Sequence, residues 1–541
     1  MDADRLSALP DRALTRVLSF LDLRKATRVG MLSRRWRALW RQTPALNLDT
    51  RRYDGIEYDG ERVGRLLFRD ALAAVLAAGR CPVRKLNVLV SSYYQSDYLE
   101  SVMSTSPGMD DVLAAPAMQR LEELRFKMEA EFCQTCDEYV LPLRRLPCQS
   151  LRVLSVAGCT LGPAPPPGTA GFGRLETLRL VSCISSPENL QAMLDAVPNL
   201  RTLWLECVSF QSEELGIDSY DTMSKRRVRL RCPAAMVAVA LIHCHRTDGL
   251  DLDAPSVRYL RYKGFLQHFP FTSATQSGVP ANLRHAELSF CTERWCCNHP
   301  SGEFQPNAFF WESIGRFRRL RVLKLKLLDF HDIAVHQDQE DMLLKVFPDL
   351  ELLEVEGSCE VDSHGAEVMI ANLLHCCPAL QEFRLKFEVH GDLYAQPKRA
   401  VRHSEERGAQ LGLEKSMDSL ARLKSKKTGS PSSPLADDDM DLCVLKERLF
   451  PCLDGHLRRI RLEFQLERFK CFEVKLAKFL VENAIVLEEM EVHDGDQRVY
   501  DHIHHKLAHW RANSFRSRIN IVGKKNELRV RWAADTPGFD P

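Results

Sequence analysis

The sequence predicts an α/β chain: a three-helix module first, then a solenoid whose curved parallel sheet carries helices on its convex side. Three observations predict it. Apolar residues between positions 9 and 40 recur with helical phase. From residue 83 a six-residue pattern, L-x-x-L-x-L, returns through most of the chain. The length, 541 residues, exceeds what one compact core organises, so either several domains or an elongated array is expected.

In "LPDRALTRVLSFLDLRKATRV", Leu14, Val17, Leu18 and Leu21 fall at i, i+3, i+4 and i+7, one apolar face of a helix. Pro10 stands where that helix begins, needs no amide partner there and keeps Leu9 extended. A second short helix can begin near Asp22. In "VGMLSRRWRALW", residues 29–40, Val29, Leu32, Trp36, Leu39 and Trp40 share one helical stripe, while Arg34, Arg35, Arg37 and Arg41 point elsewhere. Arginines interleaved with aromatics would suit a polyanion. Here the tryptophans share the leucine face, so they read as core and the arginines as solvated. Charge agrees: 74 Lys+Arg against 73 Asp+Glu leave +1, and residues 1–50 carry ten basic side chains against five acids. Phosphate neutralisation asks for more, so nucleic-acid binding is disfavoured. Three short helices bury little surface alone, and leucines on more than one side imply a docking partner.

The stretch "LPDRALTRVLSFLDLRKATRVGMLSRRWRALWRQTPALNLD" resembles an F-box of the type found in large plant families. The resemblance implies docking to a Skp-family adaptor and, through it, to a cullin–RING ubiquitin ligase. It places Leu9, Pro10, Leu14, Leu18, Leu21, Leu32 and Trp36 at or beside the adaptor interface, with internal core as the alternative for each.

The recurring pattern starts at Val83, Leu121, Leu151, Leu175, Leu200, Val257, Leu283, Leu320, Leu350, Leu380 and Leu457. Several consecutive starts lie 24, 25, 26, 30 and 30 residues apart, the leucine-rich-repeat signature. Residues at i+3 and i+5 are expected to point inward from a short strand. Cys159, Cys183 and Cys291, eight residues past the start, are expected to satisfy backbone groups at the turn. Pro198, Pro255, Pro348 and Pro378 stand at a matching offset before a start and are expected to end helical segments. No unit buries its apolar face alone; stacking does that. Residues 207–256 are irregular and are expected to hide at least one degenerate unit.

Two loops interrupt the array, "GPAPPPGTAG" at 162–171 and residues 397–441, which lack periodicity and read as a mostly disordered insertion containing Ser430-Pro431 and Ser433-Pro434. Beyond it, strand, amphipathic helix around 472–484 and strand follow. "LAKFLVENAIVLEEMEV" resembles the FBD module that closes many plant F-box/leucine-rich-repeat chains, although "QLERFKCFE" departs from the glycine-bearing form. The expected organisation is F-box 1–48, repeats 49–396, insertion 397–441, and FBD-like repeats with a cap over 442–541.

Within each unit, i+2, i+4 and i+6 face the concave side of the sheet. These positions are charged, mixed in sign and sparsely aromatic, which suits a protein partner better than a small-molecule pocket. Trp204 and Tyr259, with Arg179 and Arg261, are the substrate-binding anchors expected, because aromatics and Arg dominate hot spots.

Enzyme and metal signals are weak. Cys133-x-x-Cys136 lacks a second pair; Cys291, Cys296, Cys297 and His299 meet a zinc ligand count but match no known spacing; His502, His504 and His505 read as surface. No phosphate-cradling loop or nucleophile elbow stands out. No cofactor, metal or catalytic residue is expected. The longest apolar run, Ala234–Ile242, is nine residues, about half a membrane span. Without a signal-peptide pattern, the expectation is a soluble chain of cytoplasm or nucleus with its 18 cysteines reduced. The resemblance implies a non-catalytic substrate-recognition subunit of an SCF-type ligase for a protein substrate the sequence does not name. The alternative is a non-degradative binding scaffold on the same repeat surface.

Overall fold

A computed structural model describes residues 8–49, 82–92, 109–130, 140–147, 149–165, 172–210, 228–244, 249–271, 280–291, 305–358, 363–387, 442–464, 471–494 and 520–523. The insertion 397–441 lies outside them. The described residues fall into two compact units, one reaching to residue 257 and including 268–280, the other holding 258–267 and 281–523.

The first unit opens with three helices, α1 (Asp11–Leu18), α2 (Leu23–Leu32) and α3 (Arg34–Gln42). Pro10 caps α1, its carbonyl accepting from the Ala13 and Leu14 amides at 2.9 and 3.1 Å. Asp22 caps α2, accepting from the Lys25 amide at 2.9 Å. The stretch 29–40 is not one helix. Ser33 is extended and caps α3 by accepting from the Trp36 amide at 3.3 Å, so the helical phase restarts there. A single stripe from Val29 to Trp40 is thereby corrected: Leu32 ends α2 and falls off the face that carries Trp36 and Leu39.

Directly after α3, strand β1 (Ala45–Asp49) begins a parallel sheet with β2 (Lys85–Ser92), β3 (Glu123–Ala130), β5 (Val153–Ala157), β7 (Thr177–Val181), β9 (Thr202–Glu206) and β12 (Ala238–Ile242). Starts Val83, Leu121, Leu151, Leu175 and Leu200 are fully buried, as are the i+3 leucines that follow them. The degenerate unit in 207–256 is β12, where Met236 and Val239 replace two of the leucines and are buried together with Leu241. The return connections of 24–25-residue repeats leave little room for helix, and four two-residue strands, β4 (Val140–Leu141), β6 (Thr160–Leu161), β8 (Ile184–Ser185) and β10 (Ser209–Phe210), form a second parallel row instead. Pro198 does follow a helix, Pro187–Asp195. Pro255 instead follows β13 (Leu250–Asp253), which pairs with β11 (Val228–Arg231); no helix ends there.

Where β5, β7, β9 and β12 leave the sheet, one residue takes a left-handed backbone. Gly158, Ser182, Cys207 and His243 have φ of 72, 49, 51 and 51°, each seven residues past its start. Their geometry aims the amides of Gly158, Ser182 and Cys207 at Val181, Glu206 and Ile242 carbonyls at 2.9, 2.7 and 2.8 Å. Next to them, the Cys183 thiol donates to the Val156 and Val181 carbonyls and the Cys244 thiol to those of Leu205 and Ile242, at 3.4–3.6 Å. At Gly158 the backbone is closely approached, since a Cβ there would sit 2.3 Å from the Met128 carbonyl oxygen. Gly158→Ala is expected to destabilise the first unit by about 1–3 kcal/mol through strain at a left-handed position. A lowered thermal midpoint checks it; an unchanged one would show that the turn relaxes freely.

The second unit holds a parallel sheet in chain order, β14 (Tyr259–Gly264), β15 (His285–Phe290), β16 (Val322–Asp329), β17 (Leu352–Ser358), β18 (Glu382–Phe387), β19 (Arg459–Phe464), β20 (Glu489–Asp494) and β21 (Asn520–Gly523). Its longer repeats accommodate helices at Pro306–Ile314, Ser363–Cys376 and Cys471–Asn483. The last of these lies between β19 and β20, the strand–helix–strand order expected of the FBD-like segment. Pro378 follows the helix Ser363–Cys376, whereas only the short turn Glu340–Leu343 precedes Pro348. Phe310, Trp311, Phe317, Phe330, Phe347 and Phe383 fill the core between sheet and helices, and the Trp311 indole N–H donates to the Ile333 carbonyl at 2.8 Å. Asn372, fully buried, accepts from the Val335 amide at 2.8 Å and so ties one repeat's helix to the previous repeat's turn.

Candidate functional site

Two kinds of surface carry the candidate residues. The three-helix module has its own core: Leu14, Leu18, Trp36 and Leu39 are buried together, with Leu21, Val29 and Trp40 packed against them. Of the seven residues expected at an adaptor interface, Leu14, Leu18 and Trp36 therefore face inward and Leu21 is half-buried, while Leu9, Pro10 and Leu32 are exposed. α1 ends at Leu18, which takes Leu21 off the continuous face expected of it. The largest exposed apolar side chains of the module are Phe20, Met31 and Leu32, at 75, 77 and 74 % accessibility, with Val17 at 41 %. Val17 belongs to the α1 face that the leucine spacing predicts. Phe20 and Met31 lie off both expected stripes, and only the break at Ser33, visible as a Ser before a basic-aromatic run, would have revealed Met31.

One side chain fixes the entry to α1. Arg35 donates from Nε and a terminal nitrogen to Asp11 Oδ1 at 2.9 and 2.6 Å, and from that nitrogen to the Leu9 carbonyl at 2.8 Å. The Leu9–Pro10 segment is thereby held against α3, leaving its apolar side chains outward.

On the sheet of the first unit, Arg179 and Trp204 meet. The Arg179 guanidinium lies 4.6 Å from the indole centroid, the indole N–H donates to Glu206 at 2.9 Å, and Arg179 reaches the same carboxylate at 3.5 Å. Cation, ring and carboxylate lock one another, and Glu206 is a member sequence reasoning missed because i and i+2 on one strand do not announce a bond. Toward the helices, Asn87 donates to Asn47 at 2.6 Å, and Asn47 donates to the Ser19 and Leu21 carbonyls at 2.8 and 3.0 Å. These asparagines tie the α1–α2 elbow to β1 and β2. Beside them burial raises the Glu123 carboxyl, but Lys85 and Arg125, both bonded to it, outweigh burial and hold it below the ordinary carboxylate range.

In the second unit, Tyr259 tilts against His285 with ring centroids 6.1 Å apart, and Arg261 pairs with Glu287 at 3.3 Å. The register aligns Arg261, Glu287, Lys324, Glu354, Arg384, Arg461 and Glu491 in one row across seven strands. Signs alternate until Arg384, and Arg384–Glu354 and Arg461–Glu491 close at 3.3 and 3.6 Å. His285 is buried, which together with Lys324 lowers its pKa to about 4 and keeps it neutral. Burial likewise raises the Glu354 carboxyl, against the pull of Lys324 and Arg384. This row largely neutralises itself.

Cys133, Cys136, Cys296, Cys297, His299, His502, His504, His505, Ser430 and Ser433 lie outside the described residues. Among the described residues no group of three or more His, Cys, Asp or Glu is placed to hold a metal ion, and no helix is long and apolar enough to cross a membrane.

Comparison with known sequences agrees with this geometry. The F-box domain family matches residues 6–45, and the family described as FBD-associated F-box protein At5g56370, LRR repeats, matches residues 109–257. The putative FBD-associated F-box protein At5g56820 of Arabidopsis thaliana is 25 % identical over 262 residues, 48 % of this chain and 52 % of its own. The F-box/FBD/LRR-repeat protein At5g56420 of the same plant is 24 % identical over 364 residues, 60 % of this chain and 77 % of its own. Over 51 residues, 9 % of this chain and 11 % of that protein, identity with the Arabidopsis F-box/LRR-repeat protein At5g02910 rises to 45 %. The chain spans about half the length of the first of these curated relatives.

Proposed function

The chain is an F-box/leucine-rich-repeat protein of the plant F-box/FBD kind, and from that premise we propose that it is the substrate-recognition subunit of an SCF-type cullin–RING ubiquitin ligase. Its F-box docks a Skp-family adaptor, which connects to a cullin, and its repeat face takes the target protein. The observation that carries this reading is the division of labour within the module. Leu14, Leu18, Trp36 and Leu39 already fill its core, yet Leu9, Pro10, Phe20, Met31 and Leu32 remain outside. Large apolar side chains left out of a filled core mark an interface. Leu9, Pro10, Met31 and Leu32, with Val17, are the adaptor-facing set, while Phe20 borders the groove on the repeat sheet; Leu14, Leu18 and Trp36 act from beneath by shaping it. The chain supplies no chemistry of its own in this role. It holds a target beside a charged ubiquitin carrier, which raises effective concentration.

Proximity labelling in plant cells under proteasome inhibition tests the reading, comparing the full chain with Met31→Asp/Leu32→Asp. The expected result is a set of labelled proteins that carry ubiquitin conjugates with the native chain and lose them with the variant. Labelled proteins without such conjugates, and with unchanged lifetimes, would instead indicate a scaffold.

Arg35 adds a graded prediction. Arg35→Ala removes the hydrogen bonds that hold Leu9–Pro10. Because the pair with Asp11 is solvent-exposed, fold stability is expected to change by less than about 1 kcal/mol. Adaptor affinity is expected to fall about 5- to 30-fold, equivalent to about 1–2 kcal/mol, as the docking segment loses its preorganisation. Titration of full-length protein measures it, and full affinity in Arg35→Ala would remove the clamp from the account.

A further inference from the structure

We propose that the trough on the sheet of the first unit binds an extended acidic segment of the target protein. The proposal rests on the receptor reading and gives its target a chemistry. A groove of about 1040 Å³ runs from the α1–α2 elbow, at Arg16, Phe20 and Lys25, to Arg179 and Glu206. Its floor is low because β5 offers only Ser155 and Ala157, joined by Val181 of β7. Arg125 and Lys127 of β3 form one wall; Arg179, braced on Trp204, forms the other. β3 and β7 flank β5, so the walls stand about 10 Å apart, two strand spacings, which is room for one extended chain.

Charge selects the occupant. Arg16, Lys25, Lys85, Arg125, Lys127 and Arg179 line the groove against four carboxylates, Asp22, Asp49, Glu123 and Glu206. Glu123 is shared by two cations, Lys85 at 2.7 Å and Arg125 at 2.6 Å, so one carboxylate serves both. Arg179 presents a planar fork of donors, only one of which is engaged by Glu206, at 3.5 Å. A concave basic surface with low-dielectric walls concentrates its field on an anionic ligand. The row of the second unit differs in its floor: every strand from β14 to β20 carries a long charged side chain at the equivalent position, whereas ion pairs close in both units. Among the described residues, the small-residue floor between basic walls belongs to the first unit.

A selection from a random pool of 12-residue peptides on immobilised full-length protein tests this, with sequence counting before and after. The expected outcome is enrichment of Asp and Glu, at least tenfold weaker retention at 0.5 M salt than at 0.1 M, and loss of the enriched peptides with Arg125→Glu/Lys127→Glu. Ala157→Trp, which fills the floor without changing charge, is expected to lose them too, while Arg384→Glu in the second unit keeps them. Enriched peptides of neutral or basic composition would overturn the proposal, as would acidic peptides retained by both trough variants. Displacement of the acidic peptides by a 12-nucleotide RNA at lower concentration would also overturn it, in favour of a polyanion surface. Adaptor binding is measured on the same variants and is expected to persist. Failure of the trough with adaptor binding intact leaves the receptor reading standing, whereas absence of adaptor binding in the native chain removes it.

Discussion

Trp36→Ala is expected to unfold the three-helix module while leaving the repeat sheet folded. Trp36 is buried with Leu14, Leu18 and Leu39, and these four side chains make up most of what the module buries for itself. Truncating a buried Trp costs about 3–5 kcal/mol, from lost transfer free energy and the cavity left behind. A module of this size has no comparable reserve. Native-state hydrogen exchange on the full chain reads the outcome directly: amides of Asp11–Gln42 are expected to lose protection while those of β5, β7 and β9 keep it. Adaptor binding is expected to vanish with the fold. Protected helix amides in Trp36→Ala would contradict the placement of this residue in the core and return it to the interface.

Met31→Asp with Leu32→Asp is expected to abolish adaptor binding by the opposite route, with the fold intact. Both side chains are about three-quarters exposed, so polar replacements cost the free chain little. Each apolar side chain of this size contributes about 1.5–3 kcal/mol when buried. Losing two, and burying carboxylates in their place, is expected to weaken binding at least 100-fold, more than about 2.7 kcal/mol. Calorimetric titration beside a thermal melt separates the two routes: Trp36→Ala lowers both signals, Met31→Asp/Leu32→Asp only the first. A variant that still binds within a few-fold of the native chain would place the interface elsewhere on the module.

The repeat register was the most legible feature. A leucine at i, i+3 and i+5 of each unit has one way to be buried by stacking, and the buried set from Val83 to Leu457 follows that spacing. The unit at Met236 is hard to see because methionine and valine stand where leucines are expected, yet the same geometry buries them. Pro255 illustrates a different limit. Proline ends a segment of either kind, so its offset alone does not distinguish the helix before Pro198 from β13. In the F-box the amphipathic face of α1 is legible from leucine spacing, but its use is not. A leucine stripe reads alike whether it meets its own module or a partner. Ser33 decided the matter, since a capping serine resets the helical phase and turns Leu32 outward. The Arg179–Trp204 contact follows from neighbouring strands in register, whereas Glu206 and the asparagine tether depend on side-chain rotamers that no periodicity encodes.

The central claim is that the filled F-box core displays an adaptor-docking surface on a folded repeat protein. Titration of the full-length chain with a purified Skp-family adaptor measures it most directly. A one-to-one complex with Kd below about 1 µM, equivalent to more than about 8 kcal/mol, is expected. A full-length chain that melts cooperatively yet shows no complex at about 50 µM adaptor, about 6 kcal/mol of binding free energy, would contradict it.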